Sequence, residues 1–320
     1  MNATAGKLKR AGGFLLSPQG VVWIIFAALF IVSSLASPIF LKGRNLSNVF
    51  LVQSIGLGLA ALAQVFVVIS GGIDLSIGAV ISLLTSLAAG LYRGNPEISP
   101  VIMFLILLAA GAAAGALNGL VVVKLKVTPF MATIATMSIF QGAALFYAKK
   151  TMGGIPRTFR WIADGRLGGI PFSIILFIIV IGLGYAVLNK SRLGKYIYAS
   201  GSDPYVSRLS GIAVERIKFS AYLIGGILVG CASAFLAARM GGGGPKVGVG
   251  YELDSITAIV IGGVSLAGGA GNIFSAFGGV LIIGVFSNLM NILNINAFIQ
   301  IVLKGAVLIL AVSFYSRKKG

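Results

Sequence analysis

The stretch Val67-Val68-Ile69-Ser70-Gly71-Gly72-Ile73-Asp74-Leu75-Ser76-Ile77-Gly78 sets an acidic residue between two apolar runs with no loop to separate them. The first run ends on a glycine pair, which interrupts a helix, and the second begins within three residues of the carboxylate. Asp74 or Ser76 can cap the following helix by accepting its free backbone N–H groups. A broken helix at membrane depth is also how transporters expose backbone to a solute, and a carboxylate there can couple to protons or sodium. Both readings presuppose that the flanking runs lie in lipid, and composition decides that point. The 320 residues are 58% hydrophobic and 10% charged, with a mean hydropathy of +1.02. Soluble domains carry about 25% charged residues, so these charges are too few to coat one globule of 33.0 kDa. The chain reads as a polytopic membrane protein.

Working outward, apolar runs long enough to span lipid fall near 21–37, 50–70, 77–92, 99–123, 129–148, 172–188, 219–239, 255–267, 272–293 and 296–313. The expectation is an all-α fold of about ten transmembrane helices in a single domain over residues 1–320. Residues 1–20 form a basic cytoplasmic tail and 189–218 the largest cytoplasmic loop. With both termini inside, 14 of the 25 Lys and Arg residues lie inside and ten outside, which is the sign that positive-inside orientation requires. The net charge of +18 therefore points to anionic lipid headgroups rather than to nucleic acid. Histidine is absent and Cys231 is the single cysteine, which excludes an intrachain disulfide, a zinc site and a Cys/His catalytic pair.

Two internal likenesses compete. Residues 71–79 match 262–270 at five of nine positions, and 140–148 match 303–311 at four of nine, the second alone fitting an inverted five-plus-five repeat. Gly111, Gly115 and Gly119 recur every four residues, a spacing that lets two helices approach closely, either within the chain or between subunits. Gln53, Gln64, Asn118, Gln141, Asn288 and Asn291 place amides in or beside spans, where they serve interhelical hydrogen bonds or offer partners to a passing solute. Lys304 sits within the last span and needs a partner or a wet cavity. Glu252 and Asp254, expected on the outer side, read as a cap for the eighth span or as a docking point for an outer partner.

Within 189–218, which holds six basic residues, the run Ser202-Asp203-Pro204-Tyr205-Val206-Ser207-Arg208-Leu209-Ser210-Gly211 predicts a two-turn helix. Asp203 suits the N-cap, Pro204 the first helical position and Gly211 the residue just past the end. So short a helix is unstable unless it docks, either on the chain's own inner surface or on a partner.

The string Gly-Gly-Ile-Asp-Leu-Ser at 71–76 resembles the signature of the ribose-type monosaccharide ABC importer permeases. The likeness continues in order through 192–199, 208–212, 250–254 and 262–269, covering about residues 45–313. It implies a transport subunit rather than an enzyme, in the bacterial cytoplasmic membrane and paired with a second permease. It also implies a separate ATPase chain that carries the ATP and magnesium, and a periplasmic or lipid-anchored sugar-binding protein. The absence of a Gly-x-x-x-x-Gly-Lys-Ser/Thr phosphate loop agrees with ATP hydrolysis elsewhere. Under the resemblance, Ser202, Asp203, Pro204, Arg208, Leu209 and Gly211 form the ATPase-coupling segment. Gly71, Gly72, Asp74, Ser76, Asn118, Gln141, Asn288 and Lys304 are candidates for the translocation pathway, and no residue is assigned to a metal.

Overall fold

The computed structural model describes residues 18–317, so the basic residues at 7, 9, 10, 318 and 319 lie outside the described part. The fold is helical. In chain order the elements are α1 (Pro18–Ala36), α2 (Gly43–Ser47), a π-helical turn at Asn48–Gln53, α3 (Ser54–Ile69), α4 (Ile77–Gly94), α5 (Pro100–Val123) and α6 (Pro129–Tyr147). Then come β1 (Met152–Gly153), α7 (Arg157–Asp164), β2 (Arg166–Leu167), β3 (Ile170–Pro171), α8 (Phe172–Tyr185), a second π-helical turn at Ala186–Lys190, α9 (Arg192–Ser202) and α10 (Pro204–Leu209). The chain ends with α11 (Val214–Met240), β4 (Gly242–Gly243), α12 (Tyr251–Ile261), α13 (Ile273–Ile292) and α14 (Ala297–Arg317). Pro100, Pro129 and Pro204 each open a helix, where a missing N–H costs nothing.

Among the described residues, six helical segments are long and apolar enough to cross a membrane: 77–94, 100–123, 129–147, 172–190, 214–240 and 273–292. Three shorter apolar helices lie at 20–36, 54–69 and 297–313. The expected span at 255–267 is shorter than anticipated. Its helix, α12, has 11 residues and stops at Ile261, because Gly263 adopts φ +85° and the chain turns out of the helix. Residues 149–171, between the expected spans at 129–148 and 172–188, hold α7 and a β2–β3 hairpin, and α9 precedes the predicted two-turn helix.

The chain divides into two compact units. One takes Met1–Ser54, Thr257–Val264 and Gly271–Gly320. In it α1 packs on α13, Val22 lying against Gly278, and Phe40, Val49 and Val285 form a buried cluster. Asn45 and Asn288 exchange amide hydrogen bonds of 3.0 and 2.9 Å within it. The other unit takes Ile55–Ile256 and Ser265–Ala270. Its axis is α11, which crosses α5 with backbone on backbone: a Cβ on Gly226 would meet Gly115 Cα at 2.8 Å, and one on Gly230 would meet Leu108 Cα at 3.0 Å. The Gly111-Gly115-Gly119 stripe is thus spent within the chain, packing being what joins helices where lipid offers no hydrophobic gain. The faces of α5, α6 and α8 turned away from this contact present Leu105, Phe146 and Ile178, an apolar surface suited to lipid.

The helices before the two glycine breaks end alike. Gly71 N–H bonds Val68 O and Gly72 N–H bonds Val67 O, while Gly263 N–H bonds Val260 O and Val264 N–H bonds Ile259 O. Both are Schellman caps, with Gly71 (φ +81°) and Gly263 in the left-handed region that only glycine adopts without strain. By backbone conformation Gly71 matches Gly263, one residue out of step with the alignment of 71–79 on 262–270.

Candidate functional site

Beyond its cap, the break at 70–76 folds into a buried polar knot. Asp74 Oδ1 accepts from Ser76 N–H at 2.8 Å and from Ser76 Oγ at 2.7 Å. Asn118 on α5 donates through Nδ2 to Ser76 Oγ at 2.8 Å and to both Asp74 carboxylate oxygens at 3.3 Å. Gln64, its amide oriented by its partners, donates to Asp74 O at 3.1 Å and accepts from Asp74 N at 3.3 Å. Thr133 and Tyr222 donate to Ile73 O at 3.3 and 3.0 Å. Asp74 was expected to accept from the first turn of α4. It instead accepts from Ser76, which occupies the N-cap without a side-chain cap bond of its own. Asp74, Ser76, Asn118 and Gln64 are therefore brought together, with Asp74 5% exposed and Asn118 1%. Ser76 and Asn118, the donors to the carboxylate among the described residues, are uncharged, an arrangement that satisfies a buried polar group through geometry rather than through an ion pair.

The glycine-rich segment after α11 does not stay at the end of the bundle. Gly242 and Gly243 pair with Met152 and Gly153, and Gly243 lies on the backbone of α4 at Thr85. Gly248 N–H bonds Ser82 Oγ at 3.0 Å, and Gly248 touches the backbone at Gly78. At about 1.5 Å per residue, the segment thus descends α4 until it is about 24 Å from Gly94. Only hydrogen cover on Gly78 and Gly248 permits this approach, since a Cβ on Gly78 would fall on Glu252 Oε2. Glu252, expected at the outer rim, accordingly lies beside the first turn of α4. Its Oε1 accepts from Gly250 N–H at 3.1 Å, just before the start of α12.

Glu252 and Gln141 come together here. A cleft of about 500 Å³ is lined by Ala79, Met137, Ser138, Gln141, Gly142, Leu145, Val249 and Glu252. Gln141 Nε2 donates to Pro245 O at 2.8 Å and so ties α6 to the descending segment. Asp254 sits one turn after Gly250, its N–H bonded to Gly250 O at 2.9 Å, and does not line the cleft.

The two-turn helix forms as its residues dictate. Asp203 Oδ1 accepts from Tyr205 N–H at 2.9 Å and Val206 N–H at 3.0 Å, Pro204 follows it, and Gly211 (φ +78°) donates to Arg208 O while Ile212 donates to Ser207 O. Its apolar chains do not pack on the chain's own surface: Tyr205, Val206 and Leu209 are 69, 54 and 72% exposed. Arg208 pairs with Glu215 at 2.6 Å on the solvent side. Just before α10, Gly201 sits on Ile69 O, close to where Gly269 N–H bonds that same carbonyl at 2.9 Å. A Cβ on Gly71 would lie 3.5 Å from Gly201 Cα. The two-turn helix and the Asp74 break are thus joined through three backbones in contact.

Sequence reading missed several contributors. Gly201, Tyr222, Thr133 and Ser82 act through partners far along the chain, and no local spacing marks them, while Glu215 pairs with Arg208 seven residues before it across the turn between two helices. Asn288 is engaged with Asn45, and Lys304 is half-buried on α14, both in the first compact unit.

Residues 46–312 match the family model described as the branched-chain amino acid transport system / permease component. The ribose import permease protein of Bacillus subtilis (strain 168) is 38% identical over 294 residues, 91% of this chain and 90% of that protein. The chain belongs to the ribose-type ABC importer permeases. The permease is also similar to the Escherichia coli (strain K12) ribose import permease protein, at 35% identity over 92% of this chain and 93% of that one. Against the galactose/methyl galactoside import permease protein of the same organism, the identity is 32% over 94 and 96%. No solved structure matches the chain. The permease is a multi-pass transmembrane protein of sugar ABC import.

Proposed function

We propose that this permease passes a monosaccharide of the ribose, xylose or galactose kind across the bacterial cytoplasmic membrane, delivered by a periplasmic or extracellular binding protein and driven by a separate ATPase. Two permease chains pair, both termini are cytoplasmic, and the bilayer is crossed about ten times, α12 with its descending segment making one crossing. The observation that carries the reading is α10: a capped two-turn helix that turns Tyr205, Val206 and Leu209 to solvent. A helix this short holds such a face outward only if a partner covers it. The ATPase is that partner, and Arg208 and Glu215 flank the contact. The backbone junction at Gly201 gives a movement of α10 a direct route to the break at 71–76. Glu252, Gln141 and Ala79 wall the solute path, while Asp74, Ser76, Asn118 and Gln64 hold the broken helix in place.

The test is co-purification of the ATPase and sugar uptake in proteoliposomes for Leu209→Glu and Arg208→Glu. Both variants should keep the fold and lose partner and uptake together; retention of both functions ends the coupling assignment. Omitting the binding protein should leave little uptake, and fast selective uptake without it would refute that division of labour.

A further inference from the structure

We propose that α7 and the β2–β3 hairpin form an anchor that rests in the phospholipid headgroup layer and holds an anionic headgroup on Arg157 and Arg166. The proposal rests on the chain being a multi-pass membrane protein, and on neither the solute carried nor the direction of transport.

The short helix α7 is seated from one side. Phe159 is buried and meets Tyr92 at the end of α4, the ring centroids 5.5 Å apart. At 3.6 residues per turn, Arg157 and Trp161 fall together on the face opposite Phe159, one turn from each other. Trp161 is exposed, and its ring lies against Phe172 with centroids 4.6 Å apart. Phe172 is the first residue of the membrane-crossing segment 172–190, and its N–H bonds Gly165 O at 2.8 Å, which ties the base of the hairpin to the top of that span.

The register of α8 decides what lies beneath that indole. Ser173, Phe177 and Gly184 are buried and mark the face turned to the protein. Phe172, Ile179 and Leu183 recur at i, i+7 and i+11 along a different stripe, on which Ile179 and Leu183 are exposed. Trp161 therefore caps a stripe turned to lipid, at the height where amphipathic aromatic rings collect in membrane proteins. The hairpin extends the same surface. Gly168 (φ +56°) and Gly169 (φ +83°) make its tight turn, and Leu167 and Ile170 pair across it with both side chains exposed. The span begins two residues after Ile170, so acyl chains start beside this apolar pair and can cover it.

Charge then selects among lipids. Residues 149–171 hold Lys149, Lys150, Arg157, Arg160 and Arg166 against the single acid Asp164. Asp164 is already shared by Arg160 and Arg239, each at 3.2 Å, so among the described residues Arg157 and Arg166 have no ion pair. Arg166 spends one N–H on Gly169 O at 3.4 Å and keeps the rest of its fork for an anion. Guanidinium groups beside an interfacial indole suit a lipid phosphate, and a headgroup of net negative charge gains more from them than a zwitterionic one.

Trp23 and Trp161 are the two tryptophans of the chain, so Trp23→Phe leaves Trp161 as the sole reporter. The full permease is placed in phosphatidylcholine vesicles containing a brominated lipid, and tryptophan emission is read. Bromine near the head of the acyl chains should quench Trp161 more than bromine near their ends. Brominated phosphatidylglycerol should compete for the site about fivefold better than brominated phosphatidylcholine, the scale of one arginine at an anionic headgroup. Arg157→Gln with Arg166→Gln should abolish that preference and leave the shallow quenching, whereas Arg157→Lys with Arg166→Lys should keep most of it. The comparison of the two headgroups in the Trp161-only protein decides the matter even where a Gln variant fails to fold. Equal quenching by both headgroups, or a preference that survives both Gln changes, would overturn the anionic site. Quenching by aqueous acrylamide with none by either brominated lipid would overturn the anchor and mark the face as one for a soluble protein.

Discussion

Where α5 and α11 cross, adding a single methyl group should be felt through the whole contact. In Gly226→Ala the new Cβ would meet Gly115 Cα at 2.8 Å, roughly 0.6 Å short of where ordinary van der Waals contact begins, and would press on Gly111 O as well. The atoms in the way are backbone, so relief requires the helices to part. A gap of about 0.5–1 Å forfeits a quarter to a half of each dispersion contact it opens, and overpacking of this kind costs about 1–3 kcal/mol. Alanine also returns about 0.5–1 kcal/mol through its better helix propensity, which obscures the measurement unless it is subtracted. Gly182→Ala on α8 subtracts it, because a Cβ there meets nothing within 4 Å. The propensity gain is common to both variants, so their difference isolates the crossing: Gly182→Ala should melt at or above the parent and Gly226→Ala below it, about 1–3 kcal/mol apart. Thermal unfolding of detergent-purified protein, followed by loss of the monodisperse elution peak, reads the order directly. Coincident midpoints, or Gly226→Ala melting higher, would show that the crossing yields and that the close approach is not what holds α5 to α11.

Asn118→Leu should cost about 1.5–3 kcal/mol, because Asp74 keeps only its Ser76 donors; the double variant with Asp74→Asn should cost less than the sum of the singles, read by the same melting assay. Asp203→Ala should cost about 1 kcal/mol through the lost N-cap of α10, and hydrogen exchange at Tyr205 and Val206 should accelerate while the amides of α11 stay protected. Arg208→Ala should move the melting point by less than about 1 kcal/mol, since the pair with Glu215 is solvent-exposed, so any larger fall in ATPase association belongs to the partner contact. Asn45→Leu should destabilise more than Asn45 and Asn288 both changed to Leu, because the single change leaves the Asn288 amide buried without its partner.

Features written into adjacent residues were legible beforehand. Asp203, Pro204 and Gly211 sit within nine positions, and each acts on backbone a turn away, so the two-turn helix could be read from the sequence. The glycine pair at 71–72 announced its break for the same reason. The Asp74 knot was half legible: the carboxylate stood out between apolar runs, but its bond to Asn118 spans 44 positions and that of Tyr222 to Ile73 spans 149. The cleft was not legible at all. It exists because Gln141 meets Pro245 across 104 positions and because residues 241–250 run down α4, whereas a glycine-rich segment after an apolar helix reads as an outer loop. The short α12 was over-extended for a related reason: Val264 and Leu266 continue the apolar run after the backbone has already left the helix at Gly263.

That descending segment also bears on how the chain is made. Residues 241–250 carry little hydrophobic mass of their own and leave backbone groups that lipid cannot satisfy, so they have no independent reason to enter a bilayer. Their partners, Ser82, Thr85 and Met152, are synthesised some 90 to 170 residues earlier and leave the ribosome first. The path it follows is therefore a seat prepared by the first half of the polypeptide. Under the proposed crossing by α12, entry of this segment would be a step of protein folding rather than of insertion by hydrophobicity, and changes at Ser82 or Gly78 should then appear first as defects in biogenesis.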